Sequence, residues 1–91
     1  MALNKPWRLI FDHTADRQFA KLDGPIQKRI LNYFETILKS PNPKSKALQM
    51  SGTMRAFWRF RIGSHRVVCR FEDAELVIVA VKIGHRREVY T

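Results

Sequence analysis

The chain has one cysteine, Cys69, in 91 residues, so no internal disulfide can form. A lone thiol fits a reducing, cytoplasmic compartment rather than a secreted disulfide scaffold. Acidic residues are also scarce, with 8 Asp and Glu against 17 Lys and Arg. The longest apolar run, residues 76–81, is far too short to span a bilayer. Residues 1–7 have neither the apolar stretch nor the cleavage site of a secretory signal. No membrane association is therefore expected. The sequence has no His, Cys, Asp and Glu spacing suited to a metal and no glycine-rich phosphate loop, so no metal or other cofactor is expected. Internal repeats and low-complexity tracts are absent too. The length suits a single domain, 1–91, and 45% hydrophobic residues suffice for one small core.

The formal net charge of +9 implies a polyanionic partner. The kind of cation changes along the chain. Residues 1–54 hold Arg8, Arg17 and Arg29 beside six lysines, whereas residues 55–91 hold Arg55, Arg59, Arg61, Arg66, Arg70, Arg86 and Arg87 with Lys82 alone. Arginine grips phosphate through a planar fork and lysine as a point charge, so the second half reads as the phosphate-handling half.

Residues 7–11 read as a first strand. Residues 12–14 offer helix N-cap side chains, and Ala15, Phe19 and Leu22 suit a short helix that Asp23-Gly24-Pro25 ends. From residue 25 to about 39, Ile26, Ile30, Tyr33, Phe34, Ile37 and Leu38 form one apolar stripe of helical period. Two prolines make 40–46 a loop, and Ser51-Gly52-Thr53 is a second turn signal. The remainder reads as an antiparallel meander over 57–62, 65–72 and 76–83, with a tight turn at Gly63-Ser64 and a short polar tail from residue 85. The expected fold is α+β: an N-terminal strand, a two-helix hairpin, then an antiparallel meander of three to four strands with the helices on one sheet face.

Alternation along the strands separates two faces. Trp58, Phe60, Ile62, Val67, Cys69 and Phe71 supply the apolar face that the helices require. His65 shares that parity, and both it and Cys69 read as structural. Arg59, Arg61, Arg66 and Arg70 fall on the opposite face, where paired strands hold like charges close enough to repel without a counter-anion. Arg86, Arg87 and Tyr90 follow the last strand and can reach the same surface.

Two segments carry a family resemblance. Phe57-Trp58-Arg59-Phe60-Arg61-Ile62-Gly63-Ser64-His65-Arg66-Val67-Val68 and Val81-Lys82-Ile83-Gly84-His85-Arg86-Arg87-Glu88-Val89-Tyr90 resemble the two signature blocks of the RelE/ParE toxin superfamily. The order of strand and helical hairpin before them is similar as well. The resemblance implies a ribosome-dependent endoribonuclease of a type II toxin–antitoxin module. Such toxins cut messenger RNA in the ribosomal A site by attack of a ribose 2′-OH on the adjacent phosphate. It implies catalytic roles for Arg59, Arg61, Arg66, Arg86 and Tyr90. Outside that carry-over, Arg55, Arg70, His85 and Arg87 are the further residues expected to bind RNA.

Parts of the family carry lysine where this chain has Arg59 and Arg61. Arginine is never deprotonated in proteins, so neither residue can serve as a base. Tyr90 is one candidate base if cations lower its pKa, and His85 is the other, because histidine is the residue type whose unperturbed pKa lies near neutrality. The implied partners are a cognate antitoxin, the ribosome with its A-site mRNA, and operator DNA only through the antitoxin. Two alternatives stand beside the nuclease: a ParE-type inhibitor of DNA gyrase, and an inactive member acting only as an antitoxin-bound co-repressor.

Overall fold

The computed structural model describes residues 6–89, without the side chains of Glu88 and Val89. Strand β1 (Arg8–Phe11) leads into helices α1 (His13–Ala20) and α2 (Gly24–Leu38). After a 3₁₀ turn at Pro43–Lys46 come β2 (Leu48–Gln49), a second 3₁₀ turn at Gly52–Met54, then β3 (Trp58–Ile62), β4 (His65–Glu72), β5 (Val77–His85) and a final helical turn, α3 (Arg86–Val89). The strands form one sheet in the order β1-β5-β4-β3-β2. The α+β architecture and the antiparallel meander agree with the sequence. Three details differ. β1 lies parallel to β5, so the sheet is mixed; β2 is added at the edge beside β3; and part of the expected polar tail is helical.

Local chemistry sets the helix ends. Asp12 caps α1, its carboxylate accepting from the Ala15 N–H at 2.9 Å. Pro25 sits in the first turn of α2, where its missing N–H costs no hydrogen bond. Between the helices, Gln27 Nε2 donates to the Phe19 carbonyl at 2.9 Å and closes the end of α1.

The α2 stripe buries Ile30, Phe34 and Ile37 against one face of the sheet. Phe34 meets Phe60 with ring centroids 5.0 Å apart at a steep angle, the arrangement that aromatic quadrupoles favour. Phe60, Val67, Cys69, Ile78, Ala80 and Ile83 complete the core from the sheet side. Each large apolar side chain removed from water there is worth roughly 1.5–3 kcal/mol. Lys44 closes the far edge: its ammonium bonds Asp73 at 2.9 Å and lies 5.3 Å from the Phe71 ring.

One irregularity sets the rest of the geometry. β4 and β5 pair Val68 with Lys82 but Cys69 with Ala80, leaving Val81 as an extra residue in β5. The bulge exchanges the two faces of β5. Before it, Ile78 and Ala80 point into the core; after it, Ile83 does. Lys82 and Gly84 are thereby placed opposite Val68 and Arg66, on the face away from the helices.

Candidate functional site

The site is built around the two-residue turn between β3 and β4. Gly63 has φ +59°, a conformation without Cβ penalty only for glycine, and Ser64 does not share it, which is the II′ hairpin pattern. The Arg29 side chain from α2 packs on this turn, so a Cβ at Gly63 would come 3.0 Å from its guanidinium. On the other side the backbone N–H of Arg86 donates to the Ser64 carbonyl at 2.8 Å, fixing the start of α3 to the turn.

Arg66, the buried charged residue of the described core, is 6% exposed. Its Nη1 donates to the carbonyls of Gly63 at 2.9 Å and His65 at 2.8 Å. Arg66 is therefore both a cation and a brace for the turn. Arg61 lies directly across β3 from it, and Arg59 lies across from Val68. With Arg86 and Arg87 from α3, these side chains surround a cleft of about 330 Å³. Among the described residues its walls are Arg59, Arg61, Arg66, Arg86 and Arg87. Burial lowers the effective dielectric around Arg66, so an anion entering the cleft interacts with it more strongly than with a fully hydrated cation. Such a concavity can hold a phosphate and offset negative charge that develops on it.

The structure thus brings together Arg59, Arg61, Arg66 and Arg86, and adds Arg87. Tyr90 lies outside the described residues. Other residues singled out from the sequence are elsewhere. Arg55 is exposed at the end of the second 3₁₀ turn. Arg70 shares the face of Arg66 but pairs with Glu72 at 2.8 Å. His85 does not line the cleft: the β5 bulge turns it to the helix side, opposite His65, with ring centroids 5.8 Å apart. His65 and Cys69 occupy the core-side positions expected of them. Cys69 is fully buried, and burial pushes its thiol pKa far up, so it is not a nucleophile.

Lys82 takes a position on the arginine face that alternation along β5 does not predict, though it is not among the residues lining the cleft. Simple alternation places it with Ile78 and Ala80 in the core, whereas the bulge moves it to the arginine face. No local signal in 77–85 announces that extra residue.

Comparison with known proteins agrees with this geometry. Residues 9–90 match the family model described as the ParE toxin of the type II toxin–antitoxin system, parDE. Toxin RelG of Mycobacterium tuberculosis is 27% identical over 88 residues, covering 93% of this chain and 97% of that protein. Among solved structures, the RelBE2 toxin–antitoxin complex of Mycobacterium tuberculosis superposes with a TM-score of 0.80 at 22% identity, covering 89% of this chain and 92% of the matched one. The isolated Escherichia coli RelE toxin gives 0.70 at 22% identity, with 92% and 90% covered. The family match spans both the hairpin and the α3 turn that enclose the arginine cleft, and the chain belongs to the RelE/ParE superfamily of type II toxin–antitoxin toxins.

Proposed function

We propose that the chain is a ribosome-dependent endoribonuclease that cuts A-site codons by attack of a ribose 2′-OH on the adjacent phosphate. The observation that carries this reading is the cleft walled by Arg59, Arg61, Arg66, Arg86 and Arg87. Internal phosphoryl transfer requires in-line positioning and stabilisation of a charged phosphorane, and it requires a proton to leave the 2′-oxygen and one to reach the departing 5′-oxygen. The guanidinium groups meet the first two needs. Arg66 is held in place before substrate arrives, so little reorganisation accompanies the reaction. With His85 on the other sheet face, Tyr90 is the base in this mechanism. The ribosome supplies the codon in a splayed geometry, and the toxin supplies charge.

A cognate antitoxin is the second partner. Relatives with this fold occur as toxin–antitoxin complexes, and a surface carrying +9 favours a partner that neutralises it. Gyrase inhibition is the competing reading, favoured by the description of the matching family as a ParE toxin. The test is ribosome toeprinting with purified protein beside a gyrase supercoiling assay. Codon-specific stops without loss of supercoiling support the nuclease. Inhibited supercoiling with intact mRNA supports the gyrase binder, and inactivity in both supports an antitoxin-bound co-repressor.

A further inference from the structure

Behind β5, on the helix side, lies a groove of about 370 Å³ whose walls include Gln18, Lys21, Asp23, Ile26, His65 and His85. It exists because β1 ends early. Phe11 pairs with Ala80 as the last register position of β1 with β5, so the next part of β5 has no strand beside it. Gln18 of α1 takes over there, its Oε1 accepting from the Ile83 N–H at 2.7 Å. The Gln18 oxygen is thereby committed, and its NH₂ is what it can offer a ligand.

His65 and His85 are direct cross-strand partners whose rings meet edge to face. His85 Nδ1 accepts from the Arg87 N–H at 3.3 Å, which fixes its ring orientation and leaves Nε2 as the second polar edge. A metal ion is a poor occupant: among the described residues no third His, Cys, Asp or Glu completes a metal-holding group, and Lys21, with Arg86 and Arg87 next along the chain, repels cations. An aromatic pair flanked by Ile26 and a lysine suits a flat, hydrogen-bonding ring attached to an anion.

The groove and the arginine cleft share one partition. Gly84 and His85 line the groove, and Arg86 and Arg87 line the cleft. From residue 84 to residue 87 the backbone reaches at most about 11 Å. A single-stranded RNA with a phosphate in the cleft can therefore lay a neighbouring nucleotide over this edge. We propose that the groove is a nucleotide subsite, in which a base unstacked from the RNA strand rests on His65 and His85 and Lys21 meets the phosphate beyond it. The inference takes the identity of its ligand from the nuclease reading, but its test does not depend on cleavage.

The probe is a 2′-O-methyl trinucleotide, which cannot be cut because the attacking hydroxyl is blocked. Titrated into histidine-labelled protein, it should shift the imidazole resonances of His65 and His85 and leave His13, exposed at the start of α1, unmoved. Inorganic phosphate alone should leave all three unmoved. His65→Leu keeps the bulk of the ring and should weaken trinucleotide binding about 5- to 150-fold, the range of one base–aromatic stack. Lys21→Glu, at an exposed position, provides a second variant without risk to the core and should weaken binding most at low salt. Failure of the trinucleotide to bind, binding with both imidazoles unmoved, or wild-type affinity in both variants would overturn the subsite. Protein that shifts its histidines but cuts no codon on ribosomes keeps the subsite and loses the nuclease reading. Protein that cuts codons with silent histidines does the reverse.

Discussion

Replacing Arg61 or Arg66 with glutamine removes one positive charge from the same cleft, yet the two changes should move stability in opposite directions. Arg61 is exposed, and among the described residues its side chain makes no hydrogen bond that its loss would break. Its removal relieves repulsion. Taking about 7 Å between neighbouring guanidinium centres, each like-charge pair costs about 0.6 kcal/mol in a water-like dielectric and about 2.4 kcal/mol at an effective value of ~20. Screening trims this further. Arg61→Gln should therefore stabilise by about 0.5–1 kcal/mol at low salt. Arg66 gains the same relief, but it loses charge-assisted bonds to the Gly63 and His65 carbonyls at 2.9 and 2.8 Å. Bonds of that kind contribute roughly 1.5–3 kcal/mol each, with the exposed Gly63 carbonyl partly rehydrated. Arg66→Gln should destabilise by about 1–3 kcal/mol. For a domain of this size 1 kcal/mol moves Tm by about 4–8 °C, so thermal melts in low salt should separate the variants clearly. In about 0.5 M salt the Arg61→Gln gain should shrink towards zero while the Arg66→Gln loss persists. An Arg61→Gln protein that melts below wild type in low salt, or an Arg66→Gln protein that melts at or above it, would refute this division of roles.

Tyr90→Phe should lower single-turnover cleavage on ribosomes by about 10²–10⁴-fold with ribosome affinity nearly unchanged; full activity in that variant beside a dead His85→Ala would move the base to His85. Gly63→Ala forces a Cβ into the left-handed region and towards Arg29, and should cost about 1–2 kcal/mol, read as a Tm drop in the same melts. Cys69 should resist thiol reagents in the folded protein and react on denaturation. Because burial raises its folded pKa above the unfolded value of about 8.5, its contribution to stability is present below that pH and declines as pH rises above it, which urea titrations at pH 7 and 9.5 can measure. The cognate antitoxin should raise the melting temperature of the toxin by mass action; equal melts with and without the neighbouring gene product would count against that partnership.

Much of this architecture was legible because period and burial coincide. The stripe from Ile26 to Leu38 specifies its helix, and the alternation of Trp58, Phe60 and Ile62 with Arg59 and Arg61 specifies both faces of β3. The losses have physical causes. Two residues, Leu48 and Gln49, are too few to show a period. The parallel pairing of β1 with β5 joins segments nearly 70 positions apart in register, Arg8 with Val77, and no local pattern encodes it. Among the described residues Arg59, Arg61, Arg66, Arg86 and Arg87 meet in one cleft, while Arg55, Arg70 and His85 lie outside it, and for His85 one residue is the cause. The bulge at Val81 inverts parity, so it carries Lys82 to the arginine face and His85 away from it. The cleft was legible as a charged face; the groove behind it depends on where β1 stops and was not.

The central place of β5 also has a meaning in time. A ribosome delivers the chain in N-to-C order, so β1 appears well before β5. Among the described residues the one strand partner of β1 in the sheet is β5, residues 77–85. Until those residues are available, β1 cannot join the sheet, and Arg86 and Arg87 cannot close the cleft. A partly made chain thus carries Arg59, Arg61 and Arg66 without the assembled concavity. In a protein proposed to attack the translation machinery, the topology postpones the cleft until β5 and α3 have both been made.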